Sequence, residues 1–135
     1  SDGVLFRSFR DRSRGIIEQY LQHPNFHEMV VNQIVRTDPR HGRKALAELA
    51  SGGGGETRAI MEQGIKARKF RDVDARFMQV ALVGACGFFV TARPFVEAMF
   101  KGEKVNTATA EAYGDFVTDL FLHGLKPQAT ARKSR

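Results

Sequence analysis

Residues 80–90 read VALVGACGFFV, eleven consecutive positions with no polar side chain. A helix on the surface of a globular protein carries one wet face, whereas a helix that is apolar all round must be covered all round. The cover is a bilayer, the rest of the chain, or a second chain. A bilayer span needs about 20 apolar residues. Gln79 on one side, with Thr91 and Arg93 on the other, ends this run well before that length, so no membrane is expected. On a helix, Phe77, Ala81, Gly84 with Ala85, and Phe88 fall on one side, mixing small and large groups so that another helix can approach closely. Gln79, Val83, Cys86 and Val90 fall on another side, which is apolar with a single amide.

Working outward, the same period of 3.6 runs through almost the whole chain. Asp72 and Asp74 offer cap oxygens for an apolar helix over 75–92. Pro94 kinks or restarts it, 95–101 continue it, and Gly102 ends it. A last helix over 107–124 places Tyr113, Phe116, Val117, Leu120, Phe121 and Leu125 on one seam, with Gly124 and Pro127 as stop signals. Upstream, 4–22 aligns Phe6, Phe9, Ser13, Ile16, Ile17, Tyr20 and Leu21. Pro24 suits the first turn of a helix over 25–37, whose apolar face is Phe26, Met29, Val30, Gln33 and Ile34, and Asp38-Pro39 stops it. A short helix at 41–50 carries Ala45, Leu46 and Leu49, and ETRAIMEQGIKARKF predicts another over 56–70. The intervening SGGGG at 51–55 reads as a break or mobile loop, native because both flanks continue one amphipathic pattern. Nothing reads as a strand. The expected fold is all-α, a bundle of about six helices within 1–127, followed by a basic, disordered tail at 128–135.

With 135 residues the chain makes one domain with a real core, and eleven Phe with no Trp make that core Phe-rich. Its single cysteine, Cys86, excludes an intramolecular disulfide and fits a reducing cytoplasm. The opening SDGVLFRSFRDRSR lacks the apolar core of a signal peptide. The net charge of +6 is scattered, with no basic stripe interleaved with base-reading aromatics, and reads as solvated helix faces.

In a chain this small the protein's own core covers one side of the 80–90 helix. The other side and the seam on 113–125 have the same apolar surplus. Two such helices meeting their copies across a two-fold axis make a four-helix interface. The expected dimer contacts are Phe77, Ala81, Ala85, Phe88, Tyr113, Phe116, Leu120 and Phe121.

These pieces, in this order, resemble the C-terminal, ligand-sensing domain of TetR-family transcriptional repressors. The resemblance rests on a first helix ending YLQHPNF, a later one ending GIKARKFRDVDARF, an apolar helix broken at ARPFVEAMF, and a final helix ending LFLHGLKP. It covers about residues 4–127. Lys69 or Arg68 stands where the family usually has a second glycine. The resemblance implies a homodimer whose small-molecule effector relieves DNA binding by the full-length protein. It also implies a helix-turn-helix reader N-terminal to this domain. Nothing before Val4 supplies one, so operator DNA is expected to be contacted only through that further part.

Enzyme chemistry finds no footing in the residues. SGGGG lacks the Lys-Ser/Thr of a phosphate-binding loop. His23 and His27 have a helical metal-binding spacing, but Pro24 lies between them and no third ligand is evident, so neither a metal nor a cofactor is expected. Cys86 has no basic sequence neighbour and reads as a small core residue rather than a sensor thiol. Gln33 and Gln79 are amides on apolar faces, and a buried amide needs a partner, from the protein or from a ligand. The expected site for a small apolar or aromatic effector is therefore Met29, Gln33, Met61, Ile65, Gln79, Val83, Cys86 and Val90. The competing expectation is a helical protein-interaction module that uses the same seam and has no small-molecule site.

Overall fold

The computed structural model describes residues 2–25, 44 and 55–128, and five helices are delimited among them. They are α1 (Asp2–Gln22), α2 (described over 55–66), α3 (Ala75–Thr91), α4 (Arg93–Met99) and α5 (Thr107–Leu125). No strand occurs among the described residues. The helices expected at 25–37 and 41–50 and the tail beyond 128 lie outside the described residues, Lys44 apart, which is helical.

The caps are those that the sequence offers. Asp74 holds extended backbone and its carboxylate accepts the Arg76 N–H at 2.8 Å, which starts α3. Its carboxyl also pairs with the Arg76 side chain and is held down at about 2 by those hydrogen bonds. Asn106 caps α5 in the same way, accepting from Thr109 N at 3.0 Å. Pro94 lies in the first turn of α4, and the chain bends 82° between α3 and α4. No single described helix is long and apolar enough to cross a membrane. α4 ends at Met99, two residues short of the expected 101; beyond it Lys101 (φ 57°) and Gly102 (φ 93°) turn left-handed and the Gly102 N–H closes on Glu97 O at 2.9 Å.

The largest difference from the expected boundaries is in α2. The helix predicted over 56–70 ends at Lys66. Arg68 adopts φ 61°, the N–H groups of Lys69 and Phe70 both reach Gly64 O at 2.9 and 3.1 Å, and the Phe70 ring folds back over Gly64. A Cβ at Gly64 would stand 2.1 Å from that ring, so only glycine admits the turn as built. Arg71 then crosses to the end of α5. Its N–H donates to Leu125 O at 2.7 Å and its Nε to Gly124 O at 2.8 Å, satisfying carbonyls that a helix end leaves open. Gly124 is still helical and α5 runs one residue further, to Leu125.

The core lies where α1 crosses α3 and α5. Leu5, Phe9, Ile16 and Ile17 of α1 meet Leu82, Cys86, Phe89 and Val90 of α3 and Val117 and Leu125 of α5, and Met61 closes it from α2. The Phe9 and Phe121 rings meet edge to face at 6.0 Å.

Candidate functional site

Helix α3 has two kinds of surface besides its core face. Along one edge, Phe77 is 73% exposed and Phe88 55%; on α5 beside it, Phe116 is 59% exposed and Leu120 54%. These four side chains make an exposed apolar edge. Between the two helices it dips into a groove of about 380 Å³ lined by Val73, Phe77, Met78, Ala81, Leu120 and Phe121 among others.

Of the eight residues expected at a subunit seam, Phe77, Ala81, Phe88, Phe116 and Leu120 are exposed. The other three are half-buried in their own chain. Phe121 packs on Phe9, and Tyr113 stacks on Phe89 while its hydroxyl donates to Ala85 O at 2.6 Å. Phe95 extends the apolar edge onto α4, its ring edge to face with Phe88 at 6.3 Å.

A second flank of α3, which shares Phe88 with the first, forms with the end of α1 a groove of about 620 Å³. Its walls are Tyr20 of α1 and Gln79, Val80, Val83, Gly84, Gly87, Phe88 and Thr91 of α3. Gly87 allows this closeness: a Cβ there would lie 3.0 Å from the Tyr20 ring. Burial, reinforced by the nearby Cys86, pushes the Tyr20 hydroxyl above its ordinary range, so it stays a neutral donor and acceptor.

Of the eight residues expected to contact a ligand, Gln79 and Val83 line this groove. Met61, Cys86 and Val90 are buried in the core and do not line the groove, and Ile65 is half-buried on α2. Met29 and Gln33 lie outside the described residues. Cys86 is wholly buried and burial pushes its thiol up to about 12, with Arg12 opposing part of the rise, so the group is a neutral core thiol.

A polar relay beneath the groove was not read from the sequence. Arg12 of α1 donates from Nε to Thr57 Oγ1 at 3.2 Å and from a terminal nitrogen to Glu56 at 3.3 Å. Thr57, buried on α2, donates its hydroxyl to Gln79 Oε1. The three residues come from three helices. The one sequence signal was that Thr57 stands four residues before Met61, on the buried face of its helix. No group of His, Cys, Asp or Glu suited to a metal ion occurs among the described residues.

Comparison with known proteins gives one match. The family described as Tetracyclin repressor-like, C-terminal domain, matches residues 7–121, which span α1 through most of α5. No curated protein and no solved structure matches the chain.

Proposed function

The chain belongs to the family of tetracyclin repressor-like C-terminal domains, and on that premise we propose that it is the small-molecule-sensing and dimerisation domain of a TetR-like repressor. The observation that carries this reading is the double use of α3. One edge, with Phe77, Ala81 and Phe88, continues the exposed apolar face of Phe116 and Leu120 on α5. The other edge, with Gln79 and Val83, walls a groove large enough for a small molecule. A two-fold axis through the first edge makes a four-helix interface from α3, α5 and their copies. An effector in the groove touches the same helix that the partner subunit touches.

In the full-length protein, the effector acts by favouring a dimer geometry that misplaces the two DNA readers. Its influence equals its differential affinity for the two geometries. The protein works in the cytoplasm and contacts operator DNA through its helix-turn-helix part, not through this domain.

Native mass spectrometry of the purified protein tests both halves together. The expected species has twice the 15.1 kDa chain mass, with or without a small-molecule excess. A clean monomer across the micromolar range overturns the dimer assignment. A stable assembly with an unrelated protein and an empty groove favours the interaction-module reading.

A further inference from the structure

We propose that the groove between α1 and α3 selects an occupant presenting a carbonyl-type oxygen, on an otherwise apolar body, to the amide nitrogen of Gln79. This rests on the reading of that groove as the effector site and adds the chemistry of what it takes.

A guanidinium only donates, so the 3.2 Å contact from Arg12 Nε fixes Thr57 Oγ1 as an acceptor. The Thr57 hydroxyl has one proton, and it goes to Gln79 Oε1. The amide oxygen is thereby engaged inward and the two N–H donors lie on the other branch of the group. No protein acceptor meets that nitrogen among the described residues, and Gln79 is part of the groove wall. A relay headed by a cation polarises each bond after it, which strengthens the terminal donors. The rest of the described wall offers apolar contact from Val80, Val83, Gly84, Gly87 and Phe88 and hydroxyls from Tyr20 and Thr91, and no carboxylate is among the described lining residues to compete for the donors. A ligand ammonium would meet N–H against N–H at Gln79, whereas a carbonyl or carboxylate oxygen accepts from an amide whose own oxygen is already engaged by Thr57.

The test compares two probes of one shape, 2-acetylnaphthalene and 2-isopropenylnaphthalene, which differ by C=O against C=CH2. Equilibrium dialysis against the wild-type protein is expected to give about tenfold tighter binding of the ketone, the weight of one hydrogen bond. Gln79→Met keeps the length of the side chain and should bring the ratio to about one, and Thr57→Val, which leaves the amide unoriented, should lower it. Equal binding of both probes to the wild type, or a ratio that survives Gln79→Met, overturns the inference while leaving a groove that binds small molecules. Binding of neither probe overturns this inference and the effector-site reading together. The wild-type comparison needs no variant, so a Gln79→Met protein that fails to fold leaves it decisive.

Discussion

The ring of Tyr113 lies flat on that of Phe89, centroids 4.1 Å apart and planes 6° from parallel, while its hydroxyl donates to Ala85 O at 2.6 Å. Two links thus tie α5 to α3, one apolar and one polar, from a single side chain. Burial, with Cys86 nearby, raises the hydroxyl above its ordinary range, so the donor stays protonated at neutral pH. Tyr113→Phe keeps the stack and removes the hydrogen bond, and the expected cost is about 1 kcal/mol. Tyr113→Ala removes both and should cost about 2–4 kcal/mol, less than a fully buried aromatic because the residue is half-exposed. Urea denaturation followed by circular dichroism reads both, and equal midpoints for the two variants would refute this division.

Gly64 and the buried ring of Phe70 form a lock in which each requires the other. A methyl group at position 64 meets the Phe70 ring at 2.1–2.6 Å, and that ring is buried with nowhere cheap to go. Gly64→Ala should therefore destabilise by about 1–3 kcal/mol, an overpacking cost, despite alanine's better helix propensity. In a Phe70→Ala background the obstacle is gone, and the same change should be neutral or stabilising by up to about 1 kcal/mol. A double-mutant cycle measures the coupling; additive effects would mean that the ring does not sit over the glycine.

That lock also marks the limit of what the sequence made legible. The start of α3 at Asp74, its break at Pro94, the stop at Gly102 and the bounds of α5 are written in caps, prolines and glycines that act locally. The end of α2 is not, because KARKF after Gly64 contains neither glycine nor proline. It ends through a contact made at a distance, Phe70 on Gly64, with Arg71 pulled to the end of α5. The candidate groove divides in the same way. Helical periodicity alone put Gln79 and Val83 on one edge of α3. Arg12 and Thr57 are 45 residues apart, and Thr57 and Gln79 are 22 apart, so no period links them and only packing of α1, α2 and α3 brings the relay together. Tyr20 showed its apolar stripe, but not that Gly87 lets it approach α3.

Cys86 gives a pH prediction with a definite sign. Its thiol rises from 9.0 to about 12 in the folded protein because burial disfavours the thiolate. Above pH 9 the unfolded chain loses this proton while the native state keeps it, so the native state binds more protons and stability falls as pH rises. The slope approaches about 1.4 kcal/mol per pH unit between the two values. Below pH 9 the thiol contributes no slope. Cys86→Ala should flatten the decline, leaving a residue from Tyr20 and Tyr113, whose hydroxyls are raised in the same direction. In the same vein, an aromatic disulfide reagent at pH 8 should label native Cys86 only through opening of the fold, at least about 100-fold more slowly than in urea. Rapid native labelling would contradict the buried placement.

The apolar edge shared by α3 and α5 yields the last prediction. Phe116 is 59% exposed, so Phe116→Glu gives up little within one chain, and the stability of an isolated protomer should change by no more than about 0.5 kcal/mol. In a two-fold interface built on this edge, the same change introduces a carboxylate twice, close to its own copy, in a setting with no partner for it. Light scattering should then find the wild type at twice the 15.1 kDa chain mass and Phe116→Glu at the single mass, with helical content unchanged. Tyr113→Phe is the contrasting variant. Its ring faces Phe89 in its own chain and its hydroxyl is engaged by Ala85, so it should weaken the fold slightly and leave the dimer mass as it is. A dimer that survives Phe116→Glu intact would mean that the copies meet elsewhere, and that the exposed aromatics Phe77, Phe88 and Phe95 serve a different partner.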